Sequence, residues 1–479
     1  MNFVIPSFTP AIPEIVLLTL TSLLLVADTM WSKRYEFATY YATQVILVIV
    51  GALILTSFTT ETVTTFDGSF VRDAFADILK LAIVVISLGL FLFSKEYLLQ
   101  AKFYRGEYFT LGLFSVLGMF VMVSAHNLIT LYLGLEIMSL AIYTMVAMRK
   151  DHSAALEAAL KYFVLGALAT GMLLYGFSML YGATGQVAFD AMAAVIDAGE
   201  VDHVVLSFAV VFIVIGLAFK LGAVPFHMWV PDVYHGAPTA VTLFIGTAPK
   251  IAAFAILYRL LAEALPGAVM DWQPLLVILS VLSLLVGALV PIVQNNLKRL
   301  LAYSGIGHIG FLMLGLIAAN PDGYASAMVY TLIYAFMGLA AFGLITVLAR
   351  TGHEFDRVDD FKGMNQRNPW LALMMLFVMF SMAGIPPFIG FYAKVVVIEE
   401  VVQAGFVWLA VLAVVSAVIS AFYYLRVVKV MYFDAPQDTM KVEPVARHLT
   451  WAISLVAVAL LVFGLFPSWV IDLGYHSLS

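Results

Sequence analysis

Apolar runs of membrane length, carrying no net charge and parted by short polar stretches, recur along the whole of the 479-residue chain. They lie near residues 12–31, 39–58, 75–93, 107–124, 127–148, 153–182 and 204–234. A second set follows at 238–262, 273–292, 298–319, 324–350, 368–402, 404–433 and 449–473. A bilayer core about 30 Å thick is crossed by roughly 20 helical residues, so each run is long enough to span it. Only 11% of the residues are charged and 63% are hydrophobic, where soluble proteins carry roughly a quarter charged residues. A water-soluble fold could not hide that much apolar surface. The expected class is an all-α integral membrane protein with about fourteen transmembrane helices in one polytopic domain, residues 1–479. No Lys or Arg precedes Lys33, so the first run reads as a span and not as a removable signal.

The chain has no cysteine, which excludes disulfides, catalytic thiols and cysteine-ligated iron-sulfur clusters. Electron transfer is therefore expected on other chains. No basic tract suited to nucleic acid is present. Short loops rich in Lys and Arg collect on the cytoplasmic side. Here the basic residues follow odd-numbered spans: Lys33 and Arg34; Lys95, Lys102 and Arg105; Arg149 and Lys150; Lys298 and Arg299; Arg350, Arg357, Lys362 and Arg367; Lys441 and Arg447. Even-numbered loops offer Arg72 alone, and the stretch 183–203 is acidic, with Asp190, Asp197, Glu200 and Asp202. Both termini are expected to face outward. Trp31, Tyr35, Tyr40 and Tyr41 read as interfacial anchors.

The seventh and twelfth spans are unusually long and are interrupted, the former by Gly222, Pro225 and Pro231 and the latter by Gly384, Pro386, Pro387 and Gly390. Each Pro removes a helical hydrogen bond, and such backbone persists at membrane depth only beside protein or water. Five spans separate the two breaks. That odd offset predicts two five-span units, near 107–262 and 273–433, running in opposite directions as inverted repeats. The repeat is approximate, because Lys220 precedes its break and Lys394 follows its own.

Five ionisable residues lie well inside predicted spans: Glu136, Lys161, Lys220, Lys250 and Lys394. Holding a charge at a helix centre costs about 2.5–3.5 kcal/mol on insertion scales, so such residues mark ion pairs, water or transport. Burial penalises the charged form of each, which draws the protonated and deprotonated states together in energy, as a proton relay requires. The plainer reading is a structural ion pair or a snorkelling side chain. It weighs most for Lys161, one turn after Glu157, where an i,i+4 pair suffices. His227, just past the first break, is placed to hand on protons or to be a satisfied polar group, and His308 is similar. Gly305, Gly307 and Gly310 match GxGxxG, but the run sits in an apolar segment with no strand before it, so close helix packing explains it better than a dinucleotide.

The segment FKLGAVPFHMWVPDVYHGAPT at 219–239 resembles the signature of the antiporter-like membrane subunits of respiratory complex I. So do NLKRLLAYSGIGHIGF at 296–311, NLITLYLGLEIMSLAIY at 127–143 and AGIPPFIGFYAK ending at Lys394. The resemblance spans essentially the whole chain and is strongest to the N-type members. Lys394 stands where M-type members usually have Glu, and the L-type lateral helix is missing. The resemblance implies one proton path through Glu136, Lys220, Lys250 and Lys394. His235 stands where many relatives carry an acid or amide, which weakens a role for an acid there. Pro249, directly before Lys250, is expected to tilt the eighth span.

The resemblance further implies a proton-translocating subunit of a proton-pumping NADH:quinone oxidoreductase in a bacterial inner membrane. Its neighbours would be M-type and small K/J-type subunits and lipids, with FMN, iron-sulfur clusters and quinone on partner subunits. Protons would load from the cytoplasm at Lys220 and Lys250 and pass to Lys394 for outward release, with Glu136 tuning Lys220. The rivals are a subunit of a multisubunit cation/proton antiporter, which shares these motifs, and a purely structural membrane subunit. The charge pattern makes a direct prediction. In this cysteine-free chain, Asp197→Cys should react with a membrane-impermeant maleimide in intact cells and Lys150→Cys only in inverted vesicles; the reverse pattern would overturn the topology.

Overall fold

The computed structural model describes residues 6–31, 37–349, 354–436 and 445–478. Lys33, Arg34, Tyr35, Arg350 and Lys441 fall outside these residues. The first half of the chain forms α1 (Ile12–Met30), α2 (Ala38–Thr56), α3 (Ala74–Gln100), α4 (Gly106–Val123), α5 (Leu128–Val146), α6 (Ser153–Thr184), α7 (Phe189–Asp197), α8 (His203–Leu221), α9 (Trp229–Gly236), α10 (Thr239–Ile245) and α11 (Ala248–Tyr258). The second half forms α12 (Val269–Leu289), α13 (Leu297–Ile317), α14 (Pro321–Leu348), α15 (Met364–Arg367), α16 (Pro369–Ala383), α17 (Ile389–Gln403), α18 (Val407–Phe433), α19 (Arg447–Leu465) and α20 (Ser468–Leu478). Among the described residues, 13 helical stretches are long and apolar enough to cross a membrane. With the interrupted α16–α17 they make the fourteen spans expected of a multi-pass membrane protein.

Span starts are set by side chains that accept from otherwise unpaired first-turn N–H groups. Asp73 caps α3, Asn127 caps α5, Asp202 caps α8, Asn296 caps α13, Asn320 caps α14 and Asn368 caps α16. The main departures from the expected boundaries lie at span ends. Helix α3 runs on through Lys95 and Glu96 to Gln100, because the Lys95 ammonium rests over the rings of Phe37, Tyr40 and Tyr41. The last run divides into α19 and α20 around Pro467, which has no N–H to continue a helix. Lys298 and Arg299 sit in the first turn of α13, and Arg447 opens α19, so these charges belong to helix ends. The acidic stretch after α6 holds the short α7, and a hairpin of β1 (Val63–Thr65) and β2 (Phe70–Arg72) lies between α2 and α3.

The stretch from Thr239 to Ala264, with α13 and α14, forms the enclosed centre, while α1, α6, α18 and α19 turn one flank outward. Leu23, Leu168, Val418 and Leu455 are among the exposed residues of those flanks. Glycines set the closest helix approaches. A Cβ on Gly287 of α12 would lie 2.3 Å from the Gly307 backbone of α13, and one on Gly118 of α4 would lie 2.4 Å from the Met138 nitrogen of α5. Within the GxGxxG match, Gly307 and Gly310 pack against α12 while Gly305 meets Tyr334 of α14, so the glycines serve helix packing on two sides. Gly287→Leu is expected to cost about 3 kcal/mol or more, since overpacking against backbone cannot be relieved by a side-chain rotation. Thermal unfolding of the purified protein in detergent measures it.

Candidate functional site

Both interrupted spans end their first half in the same way. Helix α8 stops at Gly222, whose φ of +82° is left-handed, and α16 stops at Gly384 at +81°. A left-handed residue turns the chain out of the helix, so the last carbonyls lose their next-turn donors. Some are recovered locally: the Gly222 and Ala223 N–H groups both donate to Ala218 O, and Trp229 Nε1 donates to Phe219 O at 2.9 Å. The final carbonyls are met by lysines. Lys250 Nζ donates to Leu221 O at 2.7 Å, and Lys394 Nζ donates to Met382 O at 3.0 Å and Ala383 O at 2.8 Å. Each ammonium also faces an aromatic ring, Trp229 at 5.5 Å and Phe311 at 5.3 Å. The sequence pairs Lys394 with Lys220 by position beside a break; by what it binds, Lys394 is the counterpart of Lys250.

Lys250 owes its place to a further discontinuity. The eighth span breaks at Gly246 and Thr247, and Pro249 lies in the first turn of α11, where a missing N–H costs nothing. Pro249 therefore starts a segment, and the interruption lies ahead of it. Lys220, in the last turn of α8, donates to Ser139 Oγ at 3.1 Å and to Tyr143 OH at 3.4 Å. Glu136, Ser139 and Tyr143 are spaced along one face of α5, and the charge of Glu136 acts on both Lys220 and Tyr143. Lys220, Lys250 and Ser139 line a cavity of about 20 Å³, enough for one water-sized occupant.

Around the second break, His308 of α13 and Lys394 border a cavity of about 10 Å³ together with Ser304, Tyr423 and Tyr424. The His308 ring hydrogen-bonds through Nδ1 to Tyr330 OH at 2.7 Å and through Nε2 to Tyr424 OH at 3.1 Å. Tyr334 packs on the same ring at 4.9 Å, and Tyr234 of α9 has its ring 6.4 Å from that of Trp229. None of these tyrosines stands out in a sequence where such residues are common. Glu400 was also missed: it lies six residues beyond Lys394 on the buried face of α17 and accepts from Tyr475 OH of α20 at 3.3 Å.

Lys161 lies apart from this row. It is paired with Glu157 at 2.8 Å and with Asp232 at 2.8 Å, and Asp232 also holds Arg299 at 2.8 Å, all on an exposed flank. His227 sits in the turn between α8 and α9 with its ring 6.5 Å from Tyr303. His235 is placed differently, in the wall of a vestibule of about 420 Å³ at the end of the bundle opposite the termini. That vestibule also draws on Tyr97, Arg149, Lys298 and Glu354. Glu354 accepts from Tyr97 OH at 2.8 Å, Thr239 Oγ1 at 2.8 Å and Arg149 Nη1 at 3.0 Å, and Lys298 Nζ donates to Ala237 O at 3.1 Å. The Lys80–Glu14 pair, 2.6 Å apart and almost fully buried, escaped notice because both residues lie near predicted span ends.

The family described as NADH:quinone oxidoreductase/Mrp antiporter, TM matches residues 125–420. NADH-quinone oxidoreductase subunit N of Hydrogenovibrio crunogenus is 78% identical over 478 residues, covering 100% of both chains. A chain of respiratory complex I from Thermus thermophilus superposes with a TM-score of 0.83 at 30% identity, covering 96% of this chain and 99% of that one. A chain of the Mrp complex from a Dietzia species gives 0.81 at 21% identity, over 98% and 96% of the two chains, a likeness of fold alone.

The vestibule carries a pH dependence. Burial pushes the Glu354 carboxyl up, but the Lys298 charge, the hydrogen bonds from Tyr97 and Thr239, and Arg149 outweigh it and hold the pKa below the usual carboxylate value. The stabilisation is therefore full at neutral pH and is lost as pH falls through that lowered value. Glu354→Gln should destabilise the protein by about 2 kcal/mol at pH 7, and thermal scans should show the gap to wild type closing under acid, below about pH 4.

Proposed function

The chain belongs to the NADH:quinone oxidoreductase/Mrp antiporter transmembrane family, and from that premise we propose that it is the N-type, proton-translocating membrane subunit of an NADH:quinone oxidoreductase. The observation that carries the reading is the pair of buried ammonium groups, Lys250 and Lys394, each held at the freed carbonyls of a broken span. Both can lose a proton and regain it without moving the backbone that holds them. The two five-span units, near 107–262 and 273–433, are then inverted copies, each with one such lysine.

The basic face opposite the termini is the cytoplasmic one, and the vestibule around Glu354 and His235 is where protons are taken up. A proton reaches Lys220, held by Ser139 and Tyr143, and crosses the small cavity to Lys250. From there the tyrosines Tyr234 and Tyr334 and the His308 ring carry it toward Lys394, and Glu400 lies on the outward side. The charge on Glu136 sets how firmly Lys220 keeps its proton. Lys161, braced by Glu157, holds Asp232 and acts on the path from its flank; His227 serves the turn between α8 and α9. The membrane is a bacterial inner membrane with both termini in the periplasm. M-type and small K/J-type subunits flank the chain, and FMN, iron-sulfur clusters and quinone work on other subunits.

A cation/proton antiporter subunit is the second reading. Transporters with broken helices coordinate Na⁺ through unwound carbonyls; here the carbonyls at both breaks are taken by lysine ammonium groups, which favours proton traffic. In assembled complexes, Lys250→Met and Lys394→Met should each lower proton pumping by on the order of tenfold or more, the scale of losing one positioned acid–base group. Acidification of the interior of inverted vesicles on NADH addition, with NADH oxidation measured in parallel, reads this out. Unchanged pumping would sink the proposal. Pumping that requires Na⁺ would favour the antiporter.

A further inference from the structure

A crevice of about 650 Å³ opens on the lipid-facing flank between α2, α3, α14 and α19. Its walls are almost wholly apolar: Val85, Leu88 and Leu92 on α3 face Leu455, Ala459 and Phe463 on α19. Gly89 deepens the floor, where a Cβ would come within 3.0 Å of Leu339 on α14. At 1.5 Å per residue the α3 wall runs about 10 Å and the α19 wall, from Ala452 to Phe463, about 16 Å. That is close to half of a hydrocarbon core about 30 Å thick. A transmembrane helix of a partner would need a groove of full depth, whereas one acyl chain of a single leaflet needs this one.

The charges at its rim fix which leaflet. At the basic end of the crevice, Lys95 lies one turn beyond Leu92 on α3. Its Nζ sits 5.0, 4.8 and 4.9 Å from the ring centroids of Phe37, Tyr40 and Tyr41 and donates to Tyr41 OH at 3.4 Å. These contacts hold the ammonium upright at the interface, and Phe37 and Tyr41 are themselves exposed. On the other wall α19 begins with Arg447 and His448, both exposed, and among the described residues no side chain caps its first N–H groups. Cations beside an uncapped helix start form a receptor for an anionic oxygen group. Glu96 is the opposing charge at this rim, and it acts on Tyr40.

We propose that this crevice binds one glycerophospholipid with an anionic headgroup, an acyl chain lying between α3 and α19 and the phosphate between Lys95 and the start of α19. The site is separate from the row of lysines, so its occupant seals and braces the bundle and takes no part in proton transfer. The test uses the intact complex in phosphatidylcholine vesicles doped with phosphatidylglycerol that bears a diazirine on its acyl chain. After illumination, peptide mapping should find the label on α3 and α19. Lys95→Gln should cut the yield by about fivefold, the effect of one basic residue at a membrane surface, while Lys95→Arg keeps it. Filling the crevice from either wall, with Leu88→Trp or Ala459→Leu, should abolish labelling without loss of NADH oxidation. Equal labelling by a diazirine phosphatidylcholine, labelling that survives both filling variants, or cross-linking of the crevice to a partner subunit in place of lipid would each overturn the proposal.

Discussion

A carbonyl left without a donor at membrane depth costs several kcal/mol, and both interrupted spans meet that cost with a lysine ammonium. Lys250 and Lys394 are buried, and each is anchored by backbone oxygens instead of a carboxylate. An acid partner would hold a lysine in one charge state. Carbonyl dipoles favour the ammonium more gently and leave room for it to discharge. The glycines at the ends of α8 and α16 are as necessary as the lysines, because a residue with a Cβ would resist the left-handed turn that frees the oxygens. At Gly384 such a Cβ would also press within about 3.0 Å of the Lys394 side chain.

Between these two anchors the interior is organised by tyrosines and by His308, whose ring holds two hydroxyls at once. Because the ring has one donor and one acceptor when neutral, its tautomer decides which tyrosine gives and which receives. The vestibule repeats the same logic with other groups: Tyr97 donates to Glu354 while accepting from the Thr239 N–H. Ion pairs in the interior thus lie toward the ends of the bundle, as at Lys80–Glu14 and at Arg259–Asp73. Between the lysines, the middle is lined by tyrosines and His308, groups that can be either donor or acceptor.

Much of this was readable in the residues. Run lengths placed the spans to within a few residues, since apolar length is the quantity a bilayer measures, and Gly and Pro marked both breaks. Glu136, Lys220, Lys250 and Lys394 stood out because a charge in an apolar run is rare. What escaped has a common cause. Lys80, Glu14 and Arg259 sit near span ends, where a charge draws no attention, and Glu354 lies in a loop that only the folded bundle brings to Tyr97 and Thr239. The likeness of Lys394 to Lys250 is invisible in the sequence, because Lys250 lies on a different span from the break it serves. The i,i+4 spacing of Lys161 and Glu157 foretold their pair but not the Asp232 that joins it.

The order of the helices along the chain gives the assembly an order in time. Helix α20 folds back on α14, where Gly474 meets Val329 and Ser477 reaches Met328, and its Tyr475 holds Glu400. The groups that line the cavity beside Lys250 end at Ile256, whereas those beside Lys394 run on to Tyr424 of α18. The first lysine site can therefore assemble while the second half of the chain is still being made, and the second only once α18 has followed.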